Sequence, residues 1–173
     1  NLKYELLDIP KDWVFFLVDS DIQRNLRNSS YNERFKELKE AERILNTKYL
    51  GSVKKKLLNK NIFKDEVIYR RAKHVITENE RVIEAKKSIV EDNIDKFGKL
   101  MNLSHQSYSY DFEASTEDVD LLIIRSLECG ALGSRLTGGG FGGFTVSLIL
   151  KKDYESWYNK MNKYYSSDKF FKV

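Results

Sequence analysis

Hydrophobic and polar positions change period along the chain, and each change marks a new kind of element. Residues 13–18, Trp-Val-Phe-Phe-Leu-Val, are a short β-branched and aromatic run closed by Asp19-Ser20-Asp21, the pattern of a buried strand. Helical spacing follows. Phe35, Leu38, Ala41 and Leu45 share one face behind Ser30-Tyr31-Asn32-Glu33, whose capping-box spacing predicts a helix running to about Leu45. A short helical segment is expected around 53–58. A long helix is expected from about Asp65, with Ile68, Ala72, Val75, Val82 and Ile89 on its core side. Asp92-Asn93 breaks that helix and caps the next, Ile94 to about Ser107, whose stripe is Ile94, Phe97, Leu100, Met101 and His105. Ser115-Thr116 caps a further helix over 119–129. The period then becomes two: Phe144, Val146, Leu148 and Leu150 alternate with Thr145, Ser147 and Ile149, a strand with one face dry and the other partly so. A helix over 154–165 and a closing strand at 170–173 complete the pattern. Helices outnumber strands, and the strands pair most simply as an antiparallel sheet covered on one face, an α+β fold.

Composition narrows the class without changing the fold. At 173 residues, 41% apolar and 32% charged, the chain has the size and balance of one folded domain. The net charge of +4 is spread over mixed signs with small lysine runs at 54–56, 86–87 and 151–152. These read as solvated helix faces, since no aromatic cluster or reader motif accompanies them, and nucleic acid is not an expected partner. No apolar run reaches the twenty or so residues that cross a bilayer, so no membrane partner is expected. Cys129 is the single cysteine and cannot form an internal disulfide; with no secretory leader pattern, the cytoplasm is the default location. The chain opens on Asn1 and enters a strand within a few residues, which suggests a piece of something longer.

The unusual stretch is Gly133 to Leu150, which holds six of the nine glycines. Gly138, Gly140 and Gly143 satisfy the dinucleotide spacing G-x-G-x-x-G, but that signature needs a helix next, and a strand follows. The gap from Gly138 to Gly143 is that of a Walker loop, yet Phe144 stands where its lysine belongs. A protein-kinase glycine loop would bring Val-Ala-Ile-Lys, His-Arg-Asp and Asp-Phe-Gly companions, and none is present. What remains is a strand, a bend of almost pure backbone and a second strand, with Arg135 and Thr137 on its threshold. Every glycine there costs backbone entropy on folding, so close approach to another surface is the expected use.

"GALGSRLTGGGFGGFTVSL" resembles the third motif of galactokinases, in the superfamily of galactokinase, homoserine kinase, mevalonate kinase and phosphomevalonate kinase. "VDSDIQRNLRNSSYNERFKELKEA", "YRRAKHVITENERV" and "FGKLMNLSHQSYSYDFEASTEDVD" resemble further blocks of that family, in order and over nearly the whole chain. The resemblance implies a ferredoxin-like C-terminal domain of about four antiparallel strands packed on helices, occupying 1–173. It also implies that the N-terminal domain, with the sugar motif, the serine-rich phosphate loop and the catalytic Asp, lies outside the chain. Galactokinases use ATP and Mg²⁺ to phosphorylate galactose at its 1-hydroxyl, so galactose and ATP would be met through that other domain, and this half alone is expected to be inactive.

On the matching positions, the resemblance makes Tyr31 a sugar contact and Thr137, Gly138, Gly139, Gly140, Phe141, Gly142 and Gly143 the loop that packs against the nucleotide-phosphate loop of the other domain. Asp19, Ser20 and Asp21 at the strand end, with Ser134 and Arg135, are lesser candidates near substrate; Asp19 and Asp21 have an alternative role as turn-forming hydrogen-bond acceptors. Arg70, Arg71, His74 and His105 fall on family helices and are expected to be structural. No catalytic side chain and no metal ligand is expected within the chain. Phe144 departs from the cysteine that many galactokinases carry after Phe-Gly-Gly, and is expected to be buried. Two other readings use the same scaffold: a non-catalytic galactose- or ATP-binding regulator, and a truncated interaction module whose exposed half-cleft would support self-association.

Overall fold

A computed structural model describes residues 4–22 and 29–173. Residues 23–28, inside the second quoted block, lie outside the described part. The elements run β1 (Trp13–Asp19), α1 (Ser29–Ile44), α2 (Glu66–Val90), α3 (Ile94–Tyr110), α4 (Glu117–Glu128), β2 (Gly133–Leu136), β3 (Phe144–Leu150), α5 (Tyr154–Met161) and β4 (Phe170–Lys172). The strands form one sheet in the order β2-β3-β1-β4, every neighbour antiparallel. This is the ferredoxin-like α+β arrangement, with four helices in the β1–β2 connection.

Local chemistry sets most boundaries. Asp65, Asn93 and Thr116 cap α2, α3 and α4, each side chain accepting an amide of the first turn. α1 begins at Ser29, so Ser30 lies inside the first turn rather than at the cap. The expected helix at 53–58 is instead a series of 3₁₀ turns over 50–52, 55–57 and 60–62. They lay Leu50 and Phe63 onto Ala41, Ile68, Ala72 and Ile76. Val82 leaves the α2 stripe and is exposed. α3 continues to Tyr110, and α5 stops at Met161.

Both faces of the sheet are covered, contrary to the one-face expectation. On one face Val14, Phe16, Val18 and Ile149 pack against Leu122 of α4 and against Trp157 and Met161 of α5. The polar members of β3 point to this dry side. Ser147 lies 2.7 Å from Ser126 and 2.9 Å from Ser134, hydroxyl to hydroxyl, and the Trp157 indole donates to the Ser126 carbonyl at 3.1 Å. All four residues are fully buried, so each hydroxyl is satisfied by another. On the opposite face Trp13 and Leu148 pack with Met101, Phe97, Ile89 and Ile94 at one end of the strands. Toward the other end of that face Phe144 is half-buried rather than buried, meeting Phe171 edge-on at 5.7 Å.

Helix α3 closes the β2 edge at very short range. A Cβ on Gly98 would stand 2.5 Å from the Leu132 carbonyl oxygen, and one on Gly133 would stand 2.7 Å from the Gly98 backbone. At that separation the Asn102 amide donates to Leu132 O at 3.2 Å and accepts from Ser134 N at 2.9 Å, taking the place of a neighbouring strand. Among the described residues no helix is long and apolar enough to cross a membrane.

Candidate functional site

The glycine bend between β2 and β3 folds back onto its own domain. Gly138, Gly140, Phe141, Gly142 and Gly143 all have positive φ, a run that side-chain-bearing residues rarely adopt. A Cβ on Gly140 would meet Ala114 O and Tyr108 Oη, both at 2.7 Å, and one on Gly142 would meet Ile22 O at 2.6 Å. The expected close approach is therefore partly internal: these two glycines let the bend settle on the turn after α3 and on the end of β1. The Phe141 amide donates to Ala114 O at 2.8 Å, and Thr137 N donates to Phe144 O at 2.9 Å to close the base.

Gly139 differs. It lacks positive φ, and a Cβ there would have nothing within 4 Å. Gly138 and Gly139 are exposed, and neither amide donates to another described residue. Among the described residues nothing accounts for the absence of a side chain at 139.

The Asp19-Ser20-Asp21 turn supports the bend from beneath. The Asp19 carboxylate accepts from Asp21 N at 2.9 Å, the Asx geometry of a tight turn, with Asp21 at φ 62°. Ser20 N donates to Gly143 O at 2.9 Å, and Gly143 N donates to Ile22 O at 3.2 Å. Asp21 is also paired with Lys169 at 2.7 Å. Ser134 faces the buried serine cluster, and Arg135 lies on the other side of the sheet, 3.1 Å from Glu78. The fold thus gathers Tyr31 with Gly139 and Phe141 and leaves Asp19, Ser20, Asp21, Ser134 and Arg135 outside their crevice.

That crevice, about 230 Å³, is lined by Tyr31, Arg34, Phe35 and Leu38 of α1, Tyr108 and Phe112 at the end of α3, and Gly139 and Phe141. Tyr31 is 65% exposed. Tyr108 and Phe112 were not singled out by sequence reading. They fall at successive four-residue steps from Ser104, and that spacing was the available signal. His74 lies behind them, stacked on Phe112 at 4.8 Å. Its Nδ1 is 3.0 Å from Ser107 Oγ, which donates to Asp111 at 2.9 Å. Burial lowers the His74 pKa to about 4, so the imidazole is neutral near pH 7. His105 is also buried, its Nε2 3.0 Å from Asp120, and burial lowers its pKa too. Both histidines are structural parts of the helix layer.

A larger groove, about 640 Å³, runs between α2 and α3 and is lined by Lys73, Thr77, Arg81 and Asp111 among others. Its charges are of both signs, and Lys73 is already paired with Asp111 at 2.9 Å. It includes the exposed Tyr110 but no residue of the glycine bend, which is what distinguishes the smaller crevice. Among the described residues no group of three or more His, Cys, Asp or Glu side chains converges on a metal-sized site.

Residues 85–167 match the family described as GHMP kinases C terminal. Over 95% of its length the chain is 31% identical to a galactokinase of Enterococcus faecalis and 33% identical to one of Lactococcus lactis subsp. cremoris, spanning 45% and 43% of those proteins. The crystal structure of Lactococcus lactis galactokinase complexed with galactose superposes over 99% of the chain and 47% of its own, with a TM-score of 0.88 at 30% identity. The likeness to L. major mevalonate kinase in complex with R-mevalonate is one of fold alone, with a TM-score of 0.63 at 16% identity over 97% of the chain and 44% of that protein. The chain spans less than half the length of the galactokinases it matches, and corresponds to their C-terminal half.

Proposed function

We propose that this chain, a GHMP kinase C-terminal domain, forms one half of a cleft in which the γ-phosphoryl group of ATP is transferred to the 1-hydroxyl of galactose. The observation that carries the reading is the shared crevice. Tyr31, a residue of the first helix, and Gly139 and Phe141, from a bend far along the chain, line one cavity. Tyr31, 65% exposed, would offer its hydroxyl to a sugar, and the bare backbone at Gly139 would offer an amide donor where phosphate oxygens come close. Magnesium-bound ATP, when present, supplies the phosphoryl group and neutralises its charge. The chain's own contribution is geometric: it holds one wall for the sugar and one for the phosphates.

Among the described residues nothing in the crevice is placed as a general base. The polar side chains described there are Tyr31, Arg34 and Tyr108, and Arg34 is engaged by Glu37 at 2.6 Å. The magnesium ligands, the base and the principal phosphate loop then belong to a preceding domain, in a cytoplasmic enzyme of about twice this length. The deciding experiment is a coupled ADP-release assay with galactose and Mg-ATP, run on this chain and on the chain joined to a galactokinase N-terminal half. Turnover only by the joined protein is the expected result. Turnover by the chain alone overturns the division of labour, and galactose binding without ADP release in the joined protein would make it a regulator.

A further inference from the structure

We infer that Arg71 positions the glycine bend, through a three-way guanidinium contact that fixes both walls of the crevice from behind; its bearing on catalysis rests on the functional reading above. Arg71 is 1% exposed, and its hydrogen bonds go to neither Tyr31 nor the bend. Its Nε donates to Glu37 on α1 at 2.7 Å, its Nη1 to the Asp111 carbonyl at 2.7 Å, and its Nη2 to Glu113 at 2.7 Å. Arg34, which lines the crevice, pairs with Glu37 at 2.6 Å, and Arg70 pairs with Glu113 at 2.6 Å. Two carboxylates thus share three guanidinium groups, and the burial that disfavours a charged Arg71 is outweighed by its bonds to Glu113 and Glu37.

The Glu113 arm leads directly to the bend. Glu113 has φ 53°, a left-handed conformation uncommon for glutamate, and the next residue is the buried Ala114 whose carbonyl receives the Phe141 amide. Gly140 rests on the same carbonyl. Release of the Glu113 carboxylate frees the turn to rotate out of its strained conformation, and the Ala114 carbonyl turns with it. The Glu37 arm leads to the other wall, since Glu37 follows Tyr31 and Arg34 along α1. A planar fork can hold both arms at once; an ammonium cannot, so lysine is a poor replacement despite its charge.

The test uses amide hydrogen exchange on this chain and kinetics on the joined protein. In R71K, and in the milder E113Q, the Phe141 amide exchanges about ten- to a hundredfold faster, while β3 amides stay within about threefold of wild type. E37Q leaves Phe141 exchange within about threefold. In the joined protein E113Q lowers kcat about tenfold with the KM for galactose within about twofold, and E37Q raises that KM. Unchanged Phe141 exchange in both R71K and E113Q overturns the inference, as does equal acceleration at Phe141 and throughout β3, which would make Arg71 a stability residue only. If the unaltered joined protein fails to phosphorylate galactose, the functional reading falls, and exchange at Phe141 still decides whether Arg71 positions the bend.

Discussion

Alanine placed at Gly139 and at Gly140 in turn separates the part of the bend that serves the fold from the part that serves a ligand. At Gly140 the added Cβ meets Ala114 O and Tyr108 Oη at 2.7 Å, against ordinary contact beginning near 3.4 Å, and φ of 90° is strained for alanine. The bend must retreat by several tenths of an ångström, which carries the 2.8 Å Phe141–Ala114 bond toward the limit of a hydrogen bond. Strain of about 1–3 kcal/mol and a lost bond of about 1 kcal/mol give a destabilisation of about 2–4 kcal/mol. At Gly139 the Cβ meets nothing and φ is ordinary, so stability stays within about 0.5 kcal/mol or rises slightly as the unfolded chain loses freedom. Turnover responds the other way. In the joined protein Gly139→Ala lowers kcat by about tenfold or more, because its methyl group occupies space that a phosphate or the opposing domain needs. Urea denaturation of each variant gives the stability arm, and ADP release gives the other. Wild-type turnover in Gly139→Ala would refute the reasoning that bare backbone at 139 serves the cleft, and equal destabilisation by the two substitutions would refute the geometry of the bend.

Three further outcomes follow from particular contacts. Tyr31→Phe, at a 65% exposed position, leaves the urea midpoint unchanged and raises the KM for galactose in the joined protein by about tenfold, the worth of one hydrogen bond; an unchanged KM removes Tyr31 from the sugar site. His74 has a folded pKa of about 4, depressed by burial, against 6.5 for the free side chain. The unfolded chain therefore binds the extra proton first, so the stability this imidazole contributes is whole above pH 6.5 and is lost as pH falls toward 4, by at most about 3 kcal/mol. His105 is depressed in the same direction. Urea midpoints that hold steady or rise between pH 6.5 and 4.5 contradict this, and His74→Gln reduces the slope. Gly98→Ala gains about 1 kcal/mol of helix propensity, but its Cβ would lie 2.5 Å from Leu132 O, so a net loss of about 1–3 kcal/mol is expected in the same denaturation assay.

Elements whose boundaries rest on a local partner were readable from the chain. Asp65, Asn93 and Thr116 cap their helices with an amide two or three residues away, and β3 declares itself by a period of two. The quoted blocks likewise placed the domain in its family, because each is a contiguous run of residues. Three-dimensional facing was harder. In β3 the side with Phe144 and Val146 reads as the dry one, yet Thr145, Ser147 and Ile149 are the fully buried set, since hydroxyls from α4 and β2 arrive to satisfy Ser147.

The site shows the same division. The sequence singled out the glycine bend because so many glycines are unusual in one loop, the resemblance to galactokinases added Tyr31, and periodicity assigned the α+β class. Only the tertiary structure decided that Gly140 and Gly142 are spent on contacts with Ala114, Tyr108 and Ile22, that Gly139 is not, and that Arg135 lies on another face. It alone brought Tyr108 and Phe112 to the crevice and joined Glu37, Arg71 and Glu113 behind it. The physical reason is range: a cap or an alternation is settled by neighbours along the chain, whereas a close approach or a buried ion pair depends on atoms supplied by segments that meet only when the chain has folded.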